Sequence, residues 1–260
     1  MRVALGISYN GQAYQGWQSQ PSGQTVQDQL ERALSRFADQ RISTLCAGRT
    51  DAGVHALMQV VHFDTDRERS AYSWIRGTNA NLPRDIAVQW AVPTTPEFHC
   101  RASAVSRRYA YVLLQSPVRP SVETGRVGWS FQPLDAQAMR AAADLLLGEH
   151  DFSSFRAAQC QAISPVKTLL EITIQQRGAY WRIEFEANAF LHHMIRNIMG
   201  CLLQIGQGKK PVAWMQEVLD ARNRQIAAPT FSPDGLYFLG PRYDARWGMP
   251  ARTPAYDGLP

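Results

Sequence analysis

Short strand patterns and amphipathic helix patterns recur in both halves of this 260-residue sequence, and no run approaches the ~20 apolar residues of a membrane-spanning helix. That mixture confines the chain to helices packed on antiparallel sheet, an α+β fold. In the first half, strands are predicted over 3–9, 42–47, 58–64 and 86–92, with a short helix over 70–78. A longer helix opens at Thr25, with Val26, Leu30, Ala33 and Phe37 on one face and Thr25 and Asp28 spaced as a capping box. The second half has helices over 135–147, 191–205 and 212–219 and strands over 105–115, 169–175, 180–186 and 236–240. Similar element content hints at duplication, although the sequence itself shows no clear repeat. Expected bounds are 1–104 for the first half, 105–246 for the second and 247–260 for an irregular tail. Periodicity lapses over 116–133, the best linker candidate. Tyr14 and Trp17, in a loop rich in Gly, Gln, Pro and Ser, are expected to be partly exposed, and the chain beyond Gly240 is expected to be irregular.

Lys and Arg exceed Asp and Glu by 27 to 22, a net charge of +5 that permits an anionic partner such as RNA without demanding one. Cys46, Cys100, Cys160 and Cys201 are scattered and form no Cys-x-x-Cys pair, so neither a zinc spacing nor a disulfide framework is present in the sequence. The opening "MRVALGISYN" lacks the apolar core of a signal peptide, and a cytoplasmic protein is expected.

The stretch "CAGRTDAGVHA" (46–56) sets Arg49 and Asp51 two residues apart between Gly48 and Gly53. An Asp before Ala-Gly ordinarily forms a turn or caps a helix. In an extended backbone, however, Arg49 and Asp51 leave from one face, and the glycines allow close approach of a ligand or another backbone. Local physics allows a site here without requiring one.

The order of residues says more. "GRTDAGVHA" closely resembles the catalytic motif of the tRNA pseudouridine synthase A (TruA) family. "YNGQAYQGWQ" and the helix after it, "SRRYAYVL", "FLHHMIRNIMG" and "APTFSPDGLYF" resemble further motifs of that family, in the family's order and over nearly the whole chain. The resemblance implies two pseudo-symmetric α+β halves, ferredoxin- or RRM-like, whose antiparallel sheets join around a central catalytic cleft with helices outside. It implies a homodimer, with one tRNA touching both subunits. It also implies isomerisation of uridine to pseudouridine at positions 38 to 40 of the tRNA anticodon stem-loop.

That chemistry detaches uracil from its N1–C1′ bond, turns it and rejoins it through C5, losing one proton from C5. No cofactor and no metal are expected, because nothing is oxidised and only that proton departs. By the resemblance Asp51 is the nucleophile, attacking either C1′ or C6, and an ordinary carboxylate is already ionised at neutral pH. Arg196 matches the family's counter-charge. Tyr109 matches the tyrosine that stacks on the uracil, and this residue or another group moves the C5 proton. Arg49 matches the arginine that fills the gap left by the flipped base, and Leu236 walls the pocket.

Two other readings stand beside this one. A tRNA-binding or folding protein could share the fold and lack the chemistry, although Asp51, Tyr109 and Arg196 together speak against it. A carboxylate hydrolase would want a second acid in a motif, and none accompanies Asp51. "GQGKK" (206–210) reads as a glycine helix end rather than a phosphate loop. Arg107, Arg108, Arg222 and Arg224 are candidate phosphate contacts. His192 and His193, taken as helical neighbours about 100° apart, make a poor metal pair.

Overall fold

The structure is a computed structural model that describes residues 1–250. In chain order its elements are β1 (Arg2–Tyr9), α1 (Val26–Ala38), β2 (Leu45–Cys46), β3 (His55–Asp64), α2 (Ala71–Asn79), β4 (Ile86–Thr94) and β5 (Ala104–Gln115). These are followed by β6 (Gly128–Ser130), α3 (Ala136–Asp144), β7 (Gly148–Asp151), β8 (Val166–Arg177), β9 (Tyr180–Ala187), α4 (Met194–Gly206), α5 (Trp214–Ala221) and β10 (Leu236–Tyr243). The fold is α+β, as its sequence pattern implies. By backbone contacts the described residues divide into two compact units: Met1–Arg107 with residues 237–250, and Arg108–Leu236.

In the first unit β1 is central. It pairs antiparallel with β3 (Leu5↔Val61) and with β4 (Leu5↔Ala91), and Val3, Ala4, Leu5 and Ile7 along it are wholly buried. β2 joins β3 at Leu45↔His62. α1 begins where expected because the Thr25 hydroxyl oxygen accepts the Asp28 N–H at 3.2 Å while its O–H donates to the Asp28 carboxylate at 2.6 Å. Val26, Leu30, Ala33 and Leu34 face the core, and Phe37 meets the edge of Trp74 from α2 at 5.4 Å.

Three expectations change here. Trp17 is wholly buried rather than exposed, because its loop is folded against the chain around Thr50. β10 belongs with the first unit rather than closing the second half, since it pairs in parallel with β3 at Tyr237↔His55. The chain after Gly240 is not irregular at first: β10 runs to Tyr243, whose hydroxyl donates to the Cys100 carbonyl at 2.6 Å, and Trp247 lies 5.4 Å from the Phe98 ring. Apolar burial orders this segment where local pattern does not. Residues 251–260 of the expected tail lie outside the described residues.

Burial beneath this sheet has a titration consequence. Desolvation, with the Arg2 guanidinium and His99 adding to it, holds the His62 imidazole down at about 4 against the opposing pull of Asp64. The folded state therefore prefers neutral His62. The stability this contributes is complete above the ordinary value of 6.5 and is lost as pH falls toward about 4. Urea midpoints measured across that window should fall with acid, and His62→Gln should flatten part of the fall. An unchanged acid profile in the variant would contradict the assignment.

In the second unit β8 pairs antiparallel with β9 (Ile174↔Ile183) and with β7 (Gly148↔Leu169). β6 lies within the stretch expected to be a linker and pairs in parallel with β5 at Leu113↔Gly128. α4 starts at Met194, later than expected, after His193 adopts a left-handed φ of 62°. His192 and His193 thus precede the helix, with ring centroids 4.0 Å apart, and the argument from helical angles does not apply to them. The helix stops as "GQGKK" suggests: Gly208 takes φ 70° and its N–H donates to the Ile205 carbonyl at 2.9 Å.

Candidate active site

Each unit carries part of the expected residue set. Arg49 and Asp51 lie in the first unit, on the loop between β2 and β3; Tyr109, Arg196 and Leu236 lie in the second.

The bland reading of Asp51 is half right. Its carbonyl accepts the Val54 N–H at 3.1 Å, closing a four-residue turn whose third residue, Gly53, has φ 80°. A turn with positive φ there favours glycine, which explains Ala-Gly after the aspartate. Burial alternates just before it: Arg49 is exposed, Thr50 buried and Asp51 half-buried. The loop is clamped at its start by Gln59 of β3, whose side-chain amide donates to the Gly48 carbonyl and accepts the Gly48 N–H. At its end, His55 is buried, stacks on Tyr237 at 4.6 Å, and accepts the Gly11 N–H on Nδ1 at 3.1 Å. With Nδ1 accepting, a neutral ring carries its proton on Nε2.

The N-terminal "YNGQAYQGW" supplies the seat on which this loop rests. A side chain on Gly11 would overlap the Val54 carbonyl, and a Cβ on Gly16, already at φ 85°, would stand 2.8 Å from the Thr50 oxygen. That same oxygen accepts the Trp17 N–H at 3.0 Å. Neither glycine was assigned a purpose from the sequence. Their spacing in the motif is visible there, but the partner loop is not.

In the second unit, Arg196 of α4 is half-buried and donates from Nε to the Phe231 carbonyl at 2.8 Å, while the Phe231 N–H returns a bond to the Arg196 carbonyl at 3.1 Å. The helix motif and the "APTF" motif are thus one construction. Asn197, wholly buried, donates to the Phe155 carbonyl at 2.7 Å and accepts from the Thr230 hydroxyl at 2.7 Å and from Arg224 at 3.0 Å. A side chain on Gly200 would overlap the Pro229 carbonyl, so glycine lets the segment lie directly on the helix.

Tyr109 is 8% exposed, with its ring edge-on to Phe190 at 5.2 Å. Tyr111, two residues on, is a core residue whose hydroxyl donates to the Ser232 carbonyl at 2.8 Å. Leu236 is 5% exposed, and its N–H donates to the Pro233 carbonyl at 2.8 Å.

Several candidate phosphate contacts are otherwise engaged. Arg224 braces Asn197, Thr230 and the Ala227 carbonyl. Arg108 pairs with Glu184 at 2.8 Å and Glu186 at 3.6 Å, and Arg107 binds the Arg101 and Ala104 carbonyls. Arg222 lies 3.7 Å from Asp151 but stays largely exposed.

Folding also gathers His62, His99 and Cys100, a grouping that spacing did not reveal. Cys100 donates its N–H to His62 Nδ1, and Arg101 and Ala102 donate theirs to His99 Nδ1. Each neutral ring therefore holds its proton on Nε2, and burial pushes the Cys100 thiol up to about 12. The cluster is built as hydrogen-bonded core rather than as a ligand set.

The family model described as tRNA pseudouridine synthase matches residues 6–101 and 142–244, more than half of the chain. Among curated proteins, tRNA pseudouridine synthase A of Albidiferax ferrireducens is 72% identical over 260 residues, and that of Polaromonas naphthalenivorans is 72% identical over 264. The protein of that name from Paracidovorax citrulli is 68% identical over 278 residues, and each of the three comparisons covers 100% of both chains. A solved structure described as a Cbf5-Nop10-Gar1 complex aligns at 11% identity and a TM-score of 0.34, over 86% of this chain and 60% of that one, too weak a likeness to carry an argument. By the family model and by full-length identity to these relatives, the chain belongs to the tRNA pseudouridine synthase family.

Proposed function

We propose that this chain isomerises uridine to pseudouridine in tRNA, at positions 38 to 40 of the anticodon stem-loop. Full-length identity of 72% to a protein named tRNA pseudouridine synthase A carries the reading. Retention of the complete "GRTDAGVHA" run on a clamped, glycine-seated loop supports it. In this reading Asp51 is the nucleophile. It bonds transiently to C1′ or C6 while the N1–C1′ bond breaks and the uracil turns; C5 then bonds to C1′, the Asp51 bond breaks, C5 loses its proton and N1 takes one up. Arg196 supplies the counter-charge, which a carboxylate in a dry pocket needs. Tyr109 stacks on the uracil, Leu236 helps exclude water, and Arg49 takes the place of the extruded base, offsetting an unstacking cost of a few kcal/mol. We place the enzyme in the cytoplasm and propose that it works as a homodimer.

The direct test incubates purified protein with tRNA carrying tritium at C5 of uridine and maps pseudouridine in the product. Release of tritium with new pseudouridine in the anticodon stem-loop is the expected result. Tight tRNA binding without release would instead mark a binding protein.

The net charge of +5 also predicts a salt dependence. With about five phosphate contacts, affinity should fall roughly 10²-fold as salt rises from about 50 to about 200 mM, because neutralised phosphates release counterions. Filter binding across that range measures the slope, and a flat line would argue against a backbone-tracking surface.

A further inference from the structure

We infer that Tyr9 and Thr50 are positioning residues, joined by a buried hydrogen bond that decides which way Arg49 and Asp51 face. This deepens the proposal that Asp51 is the nucleophile and rests on it. Thr50 is 7% exposed and sits between exposed Arg49 and half-buried Asp51. Its hydroxyl lies 2.8 Å from the hydroxyl of Tyr9, at the end of β1. Its carbonyl accepts the Trp17 N–H at 3.0 Å. Thr50 is therefore held through its side chain by one element and through its main chain by another. With Thr50 anchored inward, the alternation of the extended chain directs its two neighbours to the opposite side.

The anchor is itself secured. Tyr9 is 4% exposed, and its ring lies 5.9 Å from the wholly buried Trp17. Gln59 holds Gly48 and Tyr9 holds Thr50, so two points on the short run that carries Arg49 and Asp51 are anchored. Burial raises the Tyr9 phenol well above its ordinary value, so it stays protonated across the physiological range. That suits a fixed strut rather than a proton carrier. Misplacement of a reacting group by about 1 Å can cost on the order of 10²-fold in rate, which makes a single buried hydroxyl worth testing.

Thr50→Val keeps the side chain's shape and removes the hydroxyl; Tyr9→Phe removes the other end of the bond. Single-turnover rates on tRNA, well below each variant's melting temperature, should drop about 10- to 100-fold in either variant, with tRNA affinity within about threefold of wild type. Thr50→Ser, which restores the hydroxyl, should recover the rate to within about threefold. The Tyr9→Phe/Thr50→Val double variant should be no slower than the slower single variant, since both remove one interaction.

A normal rate in Thr50→Val would overturn the inference, as would a Thr50→Ser variant as slow as Thr50→Val, or losses that multiply in the double variant. If Thr50→Val does not fold, Tyr9→Phe alone decides by the same rate and affinity criteria. Asp51→Asn is measured in parallel. Turnover surviving in that variant defeats the nucleophile assignment, whereas its loss beside a normal Thr50→Val defeats only the present inference.

Discussion

Asp51→Asn should lower the turnover of tRNA uridine isomerisation by at least about 10³-fold while leaving tRNA affinity within a few-fold. The substitution preserves size and removes the charged oxygen, and an amide is no nucleophile toward C1′ or C6. The loop should survive the change. Its closing bond uses the Asp51 main-chain carbonyl, and asparagine is as welcome as aspartate at the first position of such a turn. The Gln59 clamp on Gly48 and the Tyr9 bond to Thr50 do not involve the carboxylate. Tritium release from C5-labelled tRNA reads turnover and filter binding reads affinity. Near-normal release would refute the assignment, and loss of both together would mean the loop had been disturbed.

Asn197→Ala should be strongly destabilising, costing about 3 kcal/mol. Asn197 is wholly buried and serves three partners, the Phe155 carbonyl, the Thr230 hydroxyl and the Arg224 guanidinium. Alanine leaves the Phe155 carbonyl without that donor and takes an acceptor from a charged group, both expensive away from water. At about 3 °C per kcal/mol the melting temperature should drop by roughly 10 °C. Activity should fall as well, since Arg196 is the preceding residue and is tied to Phe231 beside Thr230. Calorimetry would decide, and a shift under about 2 °C would show that the network is dispensable.

How much of this was legible varied with sequence separation. The α1 start was, because Thr25 and Asp28 are three residues apart and cap locally. Asp51 and Arg196 stood out by the family resemblance, because each sits in a contiguous motif. The Tyr9–Thr50 bond spans 41 positions and leaves no periodic trace, so the strut behind Asp51 was invisible. Trp17 was misjudged for the same reason: a Gly- and Gln-rich loop reads as solvent-facing unless one knows that another loop lies on it. His62, His99 and Cys100 show the converse, since spacing along the chain did not foretell their meeting. β10 could be recognised as a strand but not assigned a partner, because its parallel neighbour β3 lies far back in the chain.

That last pairing bears on how the protein is made. The first unit takes its opening 107 residues before Arg108–Leu236 are synthesised, and it receives β10 only afterwards. Until then His55 and Ala56, at the foot of β3 beside the Asp51 turn, lack their strand partners Tyr237 and Phe238. A nascent chain stalled between the two would hold an open strand edge there, the kind of surface that chaperones guard and that aggregates recruit. The loop that carries Asp51 is therefore among the last parts of the molecule to be completed on the ribosome, although its residues are among the first to emerge.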